Sequence, residues 1–233
     1  MMKSLLRKLA QLLRNHDLLF SYAEKSYAQE GEDMLLRRIF EGKKTGFYVD
    51  VGAHHPMRFS NTYYFYKKGW SGINVDAMPG SMKKFERMRN RDINVEAAVS
   101  SHKKSLKFYM FEEPALNTFS SELMMEYVAA GHEVANARII KTRKLSDVLE
   151  EYIPPNVKID YMSIDVEGED VNVLESNDWT RFRPDYVLVE ILDASSWNEL
   201  TESKEYKKMT SLGYDFFAKT VNTVIFRNKE YEL

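Results

Sequence analysis

The chain has 233 residues, of which 33 are basic and 35 acidic, giving a formal net charge of −2, and it contains no cysteine. That length fits one domain with some decoration, and a 44% hydrophobic share is enough for a sizeable core. Without thiols there is no disulfide scaffold, cysteine zinc site, iron–sulfur cluster or cysteine nucleophile, and the balanced charge lacks the basic excess of a nucleic-acid-binding surface.

Residues 1–20 come first. Leu5, Leu6, Leu9, Leu12 and Leu13 recur at helical spacing, with Lys3, Arg7, Lys8 and Arg14 between them. A basic amphipathic helix suits a membrane surface or a partner, and equally a terminal helix packed on its own domain, which the spacing favours. No continuous apolar core or small-residue cleavage site follows, so the segment does not read as a signal peptide. No apolar run reaches the roughly 18 residues of a membrane helix, and a cytoplasmic location is expected.

Strands and helices then alternate. Gly31 to Phe40 reads as a helix with acids first and arginines last, which suits the helix dipole. GFYVDVG (46–52) is a short strand, Asn61 to Lys68 a helix, and GINVD (72–76) a second strand. A helix opens at Pro79, and Ile93 to Val99 is a third strand. Ile159 to Asp165 is a fourth strand, followed by a helix around 171–174, and Tyr186 to Ile191 is a fifth. Lys204 to Leu212 is a helix. Tyr214 to Ala218 and Thr223 to Arg227 then form a final antiparallel pair. This rhythm predicts an α/β fold with a mostly parallel sheet, helices on both faces and an antiparallel end. Ser100 to Pro155 interrupts it with two extra strands (106–111, 138–142) and a helix (121–130), read as a cover over the sheet edge. The expected organisation is an N-terminal segment over 1–25 and a single domain over 26–233 carrying that insertion at about 100–155.

Acids end the strands: Asp50, Asp76, Asp165 and, near the fifth strand's end, Glu190. In open α/β sheets the ligand binds outside the carboxyl ends of the strands, so these groups should converge on one crevice. The loop after the first strand, VDVGAHHPMRFSNT, lacks the G-x-G-x-x-G of a dinucleotide site, which speaks against a nicotinamide oxidoreductase. An acid there repels phosphate and attracts a cation. Gly52 allows close backbone approach, and Asp76 stands where a carboxylate accepts ribose hydroxyls. A cationic nucleoside without a diphosphate fits, and S-adenosylmethionine (SAM) is one.

Here the sequence resembles the FkbM-type SAM-dependent methyltransferases, within the seven-stranded Rossmann-like (class I) methyltransferase fold. The resemblance runs from about Ser26 to Leu192. It is carried by SYAQEGED, GFYVDVGAHHPMRFSNTYYFYKKGW, GINVDAMPGSM, LNTFS, IDYMSIDVEGEDVNVLESNDW and RPDYVLVE. It implies methyl transfer to a hydroxyl oxygen, on sugars or polyketide-type natural products. It places Asp50 and Gly52 on the cofactor loop, Asp76 on the ribose acid, Asp165, Glu167 and Gly168 on the motif after the fourth strand, and Glu190 on the acid of the fifth. Pro56 stands where the general pattern has its last glycine. The next helix then starts late, capped by Ser60 or Asn61, and Gln29 with the SNT segment takes over the methionine carboxylate.

Asp165 and Glu167 lie two apart, on one side of an extended stretch, as a polar wall for the reacting centre. For the hydroxyl proton the candidates are His54, His55 and Glu190. Histidine titrates near neutrality, and a half-buried carboxyl has a raised pKa. The competing readings are a loop histidine bonded to backbone and a Glu190 paired with Arg58 or Arg183. Asn117 and Thr118 touch a ligand or only their own loop. The Tyr63–Tyr66 run reads as a buried helix face. No ligand spacing supports a metal site built from a histidine, Asp165 and Glu190, so no metal is expected. The expected activity is SAM-dependent O-methyl transfer to a glycan or small-molecule hydroxyl. The alternative is a non-catalytic SAM- or nucleoside-binding module.

Overall fold

The computed structural model of the chain describes residues 8, 23–101, 105–192 and 194–231; the helix expected over residues 1–20 lies outside them, Lys8 apart. In chain order the first elements are α1 (Glu32–Ile39), β1 (Phe47–Val51), α2 (Tyr63–Lys67), β2 (Ser71–Asp76), α3 (Met82–Met88), β3 (Ile93–Glu96), β4 (Ala98–Val99) and β5 (Ser105–Phe111). Then follow α4 (Ser121–Ala129), β6 (Val134–Arg143), α5 (Leu145–Tyr152), β7 (Tyr161–Ile164), α6 (Asp170–Ser176) and β8 (Tyr186–Glu190). The chain closes on α7 (Trp197–Glu202), α8 (Lys204–Ser211), β9 (Tyr214–Lys219) and β10 (Thr223–Asn228).

β1 is buried at all five positions, as a central parallel strand covered on both faces must be. It pairs in parallel with β2 and β7. The seven-stranded sheet runs β3-β2-β1-β7-β8-β10-β9, and β10 is antiparallel to both of its neighbours. The mixed α/β sheet and its terminal antiparallel pair are those expected from the strand pattern.

Alternation along β1 splits the core in two. Phe47, Val49 and Val51 join Ile73, Val75, Leu149, Val173 and Met209 on one face. Tyr48 joins Leu36, Phe40, Phe65, Trp70, Tyr161 and Tyr186 on the other. Asp50 falls on the Tyr48 face by the same period of two. In the Tyr63–Tyr66 run only Phe65 is buried, so the expectation of a buried helix face holds for one residue in four.

Two further expectations shift. The strand expected over 93–99 breaks at Ala97, whose amide donates to the Asp76 carbonyl (2.9 Å), and β4 turns away to pair with β6. The cover also ends earlier than Pro155. β5 and β6 form an antiparallel pair and α4 buries none of its residues. Leu145, Val148 and Leu149 of α5, by contrast, are buried in the main core. Their i, i+3, i+4 spacing makes α5 a sheet-packing helix. No helix among the described residues is long and apolar enough to cross a membrane.

Candidate functional site

The carboxyl ends of β1, β2 and β7 meet at Gly52. Its φ of 84° lies in the left-handed region, and a β-carbon there would run into the backbone carbonyl of Asp165. The amides of Gly52 and Ala53 both donate to the Val75 carbonyl (2.9 and 3.1 Å), which folds the loop over the end of β2. Asp76 then receives two more amides: Met78 N on Oδ1 (2.8 Å) and His54 N on Oδ2 (2.9 Å). Burial raises its pKa, and those two hydrogen bonds oppose the rise.

A cleft of about 850 Å³ opens above these strand ends. Gly52, His54, Asp76, Asp165 and Glu167 line its floor, exposed Gln29 stands at its rim, and Phe108, Asn117 and Phe119 of the cover form its far wall. Asn117 is braced by accepting from Phe111 N (2.8 Å). Thr118 serves the site from behind, its hydroxyl donating to the Glu167 carbonyl (2.7 Å).

Two expected site residues stand elsewhere. Asp50 is buried beneath the cleft, where it accepts from the Thr62 hydroxyl (2.8 Å). It is not among the cleft-lining residues, and its contact with Thr62 anchors the loop. Burial pushes its carboxyl up to about 6. His55 also turns away: its Nδ1 accepts from Met57 N and Arg58 N (3.1 Å each). That is the loop histidine bonded to backbone, and the nitrogen is occupied. His54 does line the cleft, with its ring stacked on Phe59 at 6.2 Å between centroids. Its Nε2 is buried without a partner among the described residues. Burial, with Arg58 and His55 nearby, pushes the imidazole down to about 4.

Under the loop lies Arg89, fully buried and invisible to sequence reasoning because it sits in a charged run at a helix end. Its guanidinium donates to Asp92 (2.8 Å), the Tyr48 hydroxyl (2.9 Å), the Thr62 hydroxyl (3.0 Å) and the Pro56 carbonyl (3.0 Å). It ties α3 to the loop. α2 starts late, as Pro56 implies. Thr62 is the boundary residue, while the Ser60 hydroxyl accepts from Tyr63 N (3.1 Å).

Asp165, Glu167 and Glu190 bring oxygens within 4.8 Å of one another. Asp165 and Glu167 both line the cleft, but the stretch is not extended: Glu167 has φ 50°. Burial and mutual repulsion raise the Glu190 carboxyl far above the usual carboxylate range, while burial raises Asp165 less because Glu190 hydrogen-bonds to it. Of the two carboxyls, Glu190 is the one pushed further toward its protonated form. Neither arginine expected as its partner is there: Arg58 pairs with Glu113 (2.9 Å) and Arg183 with Asn228 and Glu230. Among the described residues Glu190 Oε2 is buried without a partner. The three carboxylates also make an oxygen donor set of the type a hard cation accepts, brought together from two strand ends with no sequence spacing to announce it.

A second, much smaller hollow adjoins the cleft at Gln29, Phe59 and Asp165. Phe59 apart, its walls are polar and include Glu30, Asn61, Glu190 and Asn222. Glu30 builds this corner by accepting from Asn222 N (2.8 Å) and the Thr220 hydroxyl (2.7 Å). Asn61 is set by donating to Ser163 Oγ (3.0 Å). Glu30, Asn61 and Asn222 escaped sequence reasoning apart from the stretches SYAQEGED and SNT.

These residues fit SAM. Gly52 lets the loop lie against the Asp165 backbone at the cleft, Asp76 offers a carboxylate at the second strand end, and Asp165 and Glu167, with no basic partner among the described residues, would suit a cationic sulfonium. Strand order and site together define a SAM-dependent methyltransferase. The methyltransferase FkbM domain matches residues 50–216, well over half of the chain, and the chain belongs to that family. Among solved structures, a TehB-like SAM-dependent methyltransferase from Corynebacterium glutamicum is 11% identical, covering 96% of this chain and 97% of its own, with a TM-score of 0.47. Monomeric WbdD is 9% identical over 92% of this chain and 44% of its own, with a TM-score of 0.45. Aeropyrum pernix fibrillarin with natively bound SAM is 11% identical over 83% of this chain and 71% of its own, with a TM-score of 0.42. A search of curated proteins finds no match.

Proposed function

We propose that the chain is an O-methyltransferase acting on a hydroxyl of a sugar, a glycoconjugate or a similar polyhydroxylated small molecule. The observation that carries this is the junction at Asp165, where the large cleft meets the small polar hollow. The cleft combines the Asp76 carboxylate with apolar Val75, Met78 and Phe108, the mix a nucleoside meets, and the hollow offers carboxylates and amides to hydroxyl donors rather than an apolar wall.

SAM, when bound, supplies a methyl group on a sulfonium: the oxygen–carbon bond forms as the sulfur–carbon bond breaks, leaving S-adenosylhomocysteine (SAH). Asp76 would hold the ribose hydroxyls, with His54 N keeping its carboxylate in place. Gln29 and the loop after β1 would bound the methionine end. Asn61, Asn222 and Glu190 would orient the acceptor, because positioning two reactants is the larger part of such catalysis. The hydroxyl proton needs an acceptor, and Asp165, which lines the cleft and is the less raised of the two carboxyls, is the better placed. Burial and the neighbouring acids push Glu190 toward its protonated form, and an imidazole depressed to about 4 is a weak base. The assignment therefore moves from the two histidines and Glu190 to the Asp165–Glu190 pair. The cytoplasm, where SAM is made, is the location that goes with this reading.

The test is incubation with methyl-labelled SAM and a panel of neutral sugar acceptors, with calorimetric titration of SAM and SAH alongside. Label on a sugar oxygen is expected. Binding without turnover on any acceptor would favour the non-catalytic module, and no binding of either compound would defeat both readings.

A further inference from the structure

The carboxyl of Glu167 is aimed into the cleft by the cover, not by the strand it follows. Glu167 is held at φ 50°, a costly conformation for a residue with a β-carbon, and such strain persists where the surroundings over-determine it. Behind the turn, Asp170 accepts from Val166 N (3.3 Å) and Gly168 N (3.2 Å). In front, the cover grips it twice. The Thr118 hydroxyl donates to the Glu167 carbonyl (2.7 Å), and the Tyr127 hydroxyl donates to Glu167 Oε2 (2.6 Å). Leu123 lies over Gly168, close enough that a β-carbon there would press on its side chain.

Tyr127 is not placed by any need of the core, since α4 buries none of its residues. Its ring rests edge-on against Phe111 at 5.7 Å, which leaves the hydroxyl to reach across to Glu167. We propose that Tyr127 is a positioning residue of the reacting centre, its phenol fixing the Glu167 carboxylate against the methyl-bearing end of the cleft. The proposal rests on the reading of the cleft as a SAM site. A phenol donating to a carboxylate is a charge-assisted hydrogen bond that favours the ionised acid, and it opposes the burial and the Asp165 charge that push Glu167 up. Tyr127 is itself pushed up by burial and by Glu167, so it keeps its proton and remains a donor.

SAM and SAH differ by a methyl group and a positive charge on sulfur. A carboxylate fixed at that end of the cleft favours the first over the second, whereas a cover that merely encloses the ligand favours neither. The experiment is calorimetric titration of the full chain and its variants with SAM and with SAH. Tyr127→Phe keeps the ring contacts and is expected to weaken SAM binding about tenfold and SAH binding less than about twofold. Leu123→Ala loosens the cover without touching Glu167 and should weaken both by one common factor. In a Glu167→Gln background, Tyr127→Phe should cause no further loss of SAM preference, because the two side chains act as one unit. Equal losses of SAM and SAH in Tyr127→Phe, no loss at all, or an additive loss in the double variant would overturn the proposal. A wild-type chain that binds neither compound would instead defeat the SAM-site reading beneath it.

Discussion

Gly52 lies against the backbone of Asp165 so closely that the two strand ends leave no room for a side chain between them. The contact joins the loop after β1 to the turn after β7, the two segments that bound the cleft. Gly52→Ala must therefore open that junction as well as hold alanine at a φ of 84°. The conformation alone costs about 1–2 kcal/mol. The expected result is a lower melting temperature together with a SAM affinity reduced more than about tenfold. Wild-type affinity in a folded Gly52→Ala chain would show that the loop does not meet the ligand.

Asp50 makes a pH prediction whose sign follows from its burial. Its folded pKa, about 6, stands above the ordinary 3.8, so folding favours the protonated acid. The stability this contributes is present below 3.8 and is lost as pH rises through about 6. The difference corresponds to about 3 kcal/mol. Asn at this position does not titrate. Urea denaturation of wild type and Asp50→Asn from pH 4 to pH 7 should therefore show the wild type losing most of that amount, about 2 kcal/mol. Parallel profiles would place the carboxylate in contact with solvent or with a full counter-charge.

Burial and neighbouring acids raise Glu190 more than Asp165, which bears on two carboxyls that sequence reasoning reads as a candidate base and a polar wall. If Glu190 is protonated at neutral pH, Glu190→Gln copies the resident state. That variant should melt close to the wild type at pH 7 and lose less than about tenfold in turnover. Asp165→Asn removes the proton acceptor and should lose roughly 10²–10⁴-fold. Both are read as methylation of whichever sugar the acceptor panel yields. The reverse ranking would return the base to Glu190.

How much of this was legible depends on what each feature is made of. Strand-end acids announce themselves because an acid after an apolar run is visible in one dimension, and Asp76 and Asp165 of that set line the cleft. The same signal leaves Asp50 open. It cannot tell an acid facing the cleft from one facing Thr62, a matter of which side of β1 the fourth residue takes. His54 and His55 read identically in sequence, whereas His54 takes left-handed backbone and lines the cleft while His55 Nδ1 accepts from backbone amides. α5 was legible and passed over: Leu145, Val148 and Leu149 carry a helical period. Tyr127 and Arg89 carried no local signal, since what matters about each is a partner 40 residues away at Glu167 and 41 away at Tyr48.

Arg89 gives the sharpest stability prediction. It is fully buried with Asp92 in an ion pair of 2.8 Å, and its other donors reach Tyr48, Thr62 and the Pro56 carbonyl. Arg89→Met strands the Asp92 carboxylate in the core and unties the loop at Pro56, a loss of about 3–5 kcal/mol for breaking a buried pair from one side. Replacing both partners together, Arg89→Met with Asp92→Asn, leaves no uncompensated charge and should recover part of that loss. Because Thr62 also holds Asp50, the single variant should weaken SAM binding beyond what its stability explains, measured well below its melting temperature. If the single and double variants are equally destabilised and both bind SAM normally, Arg89 is packing and no more.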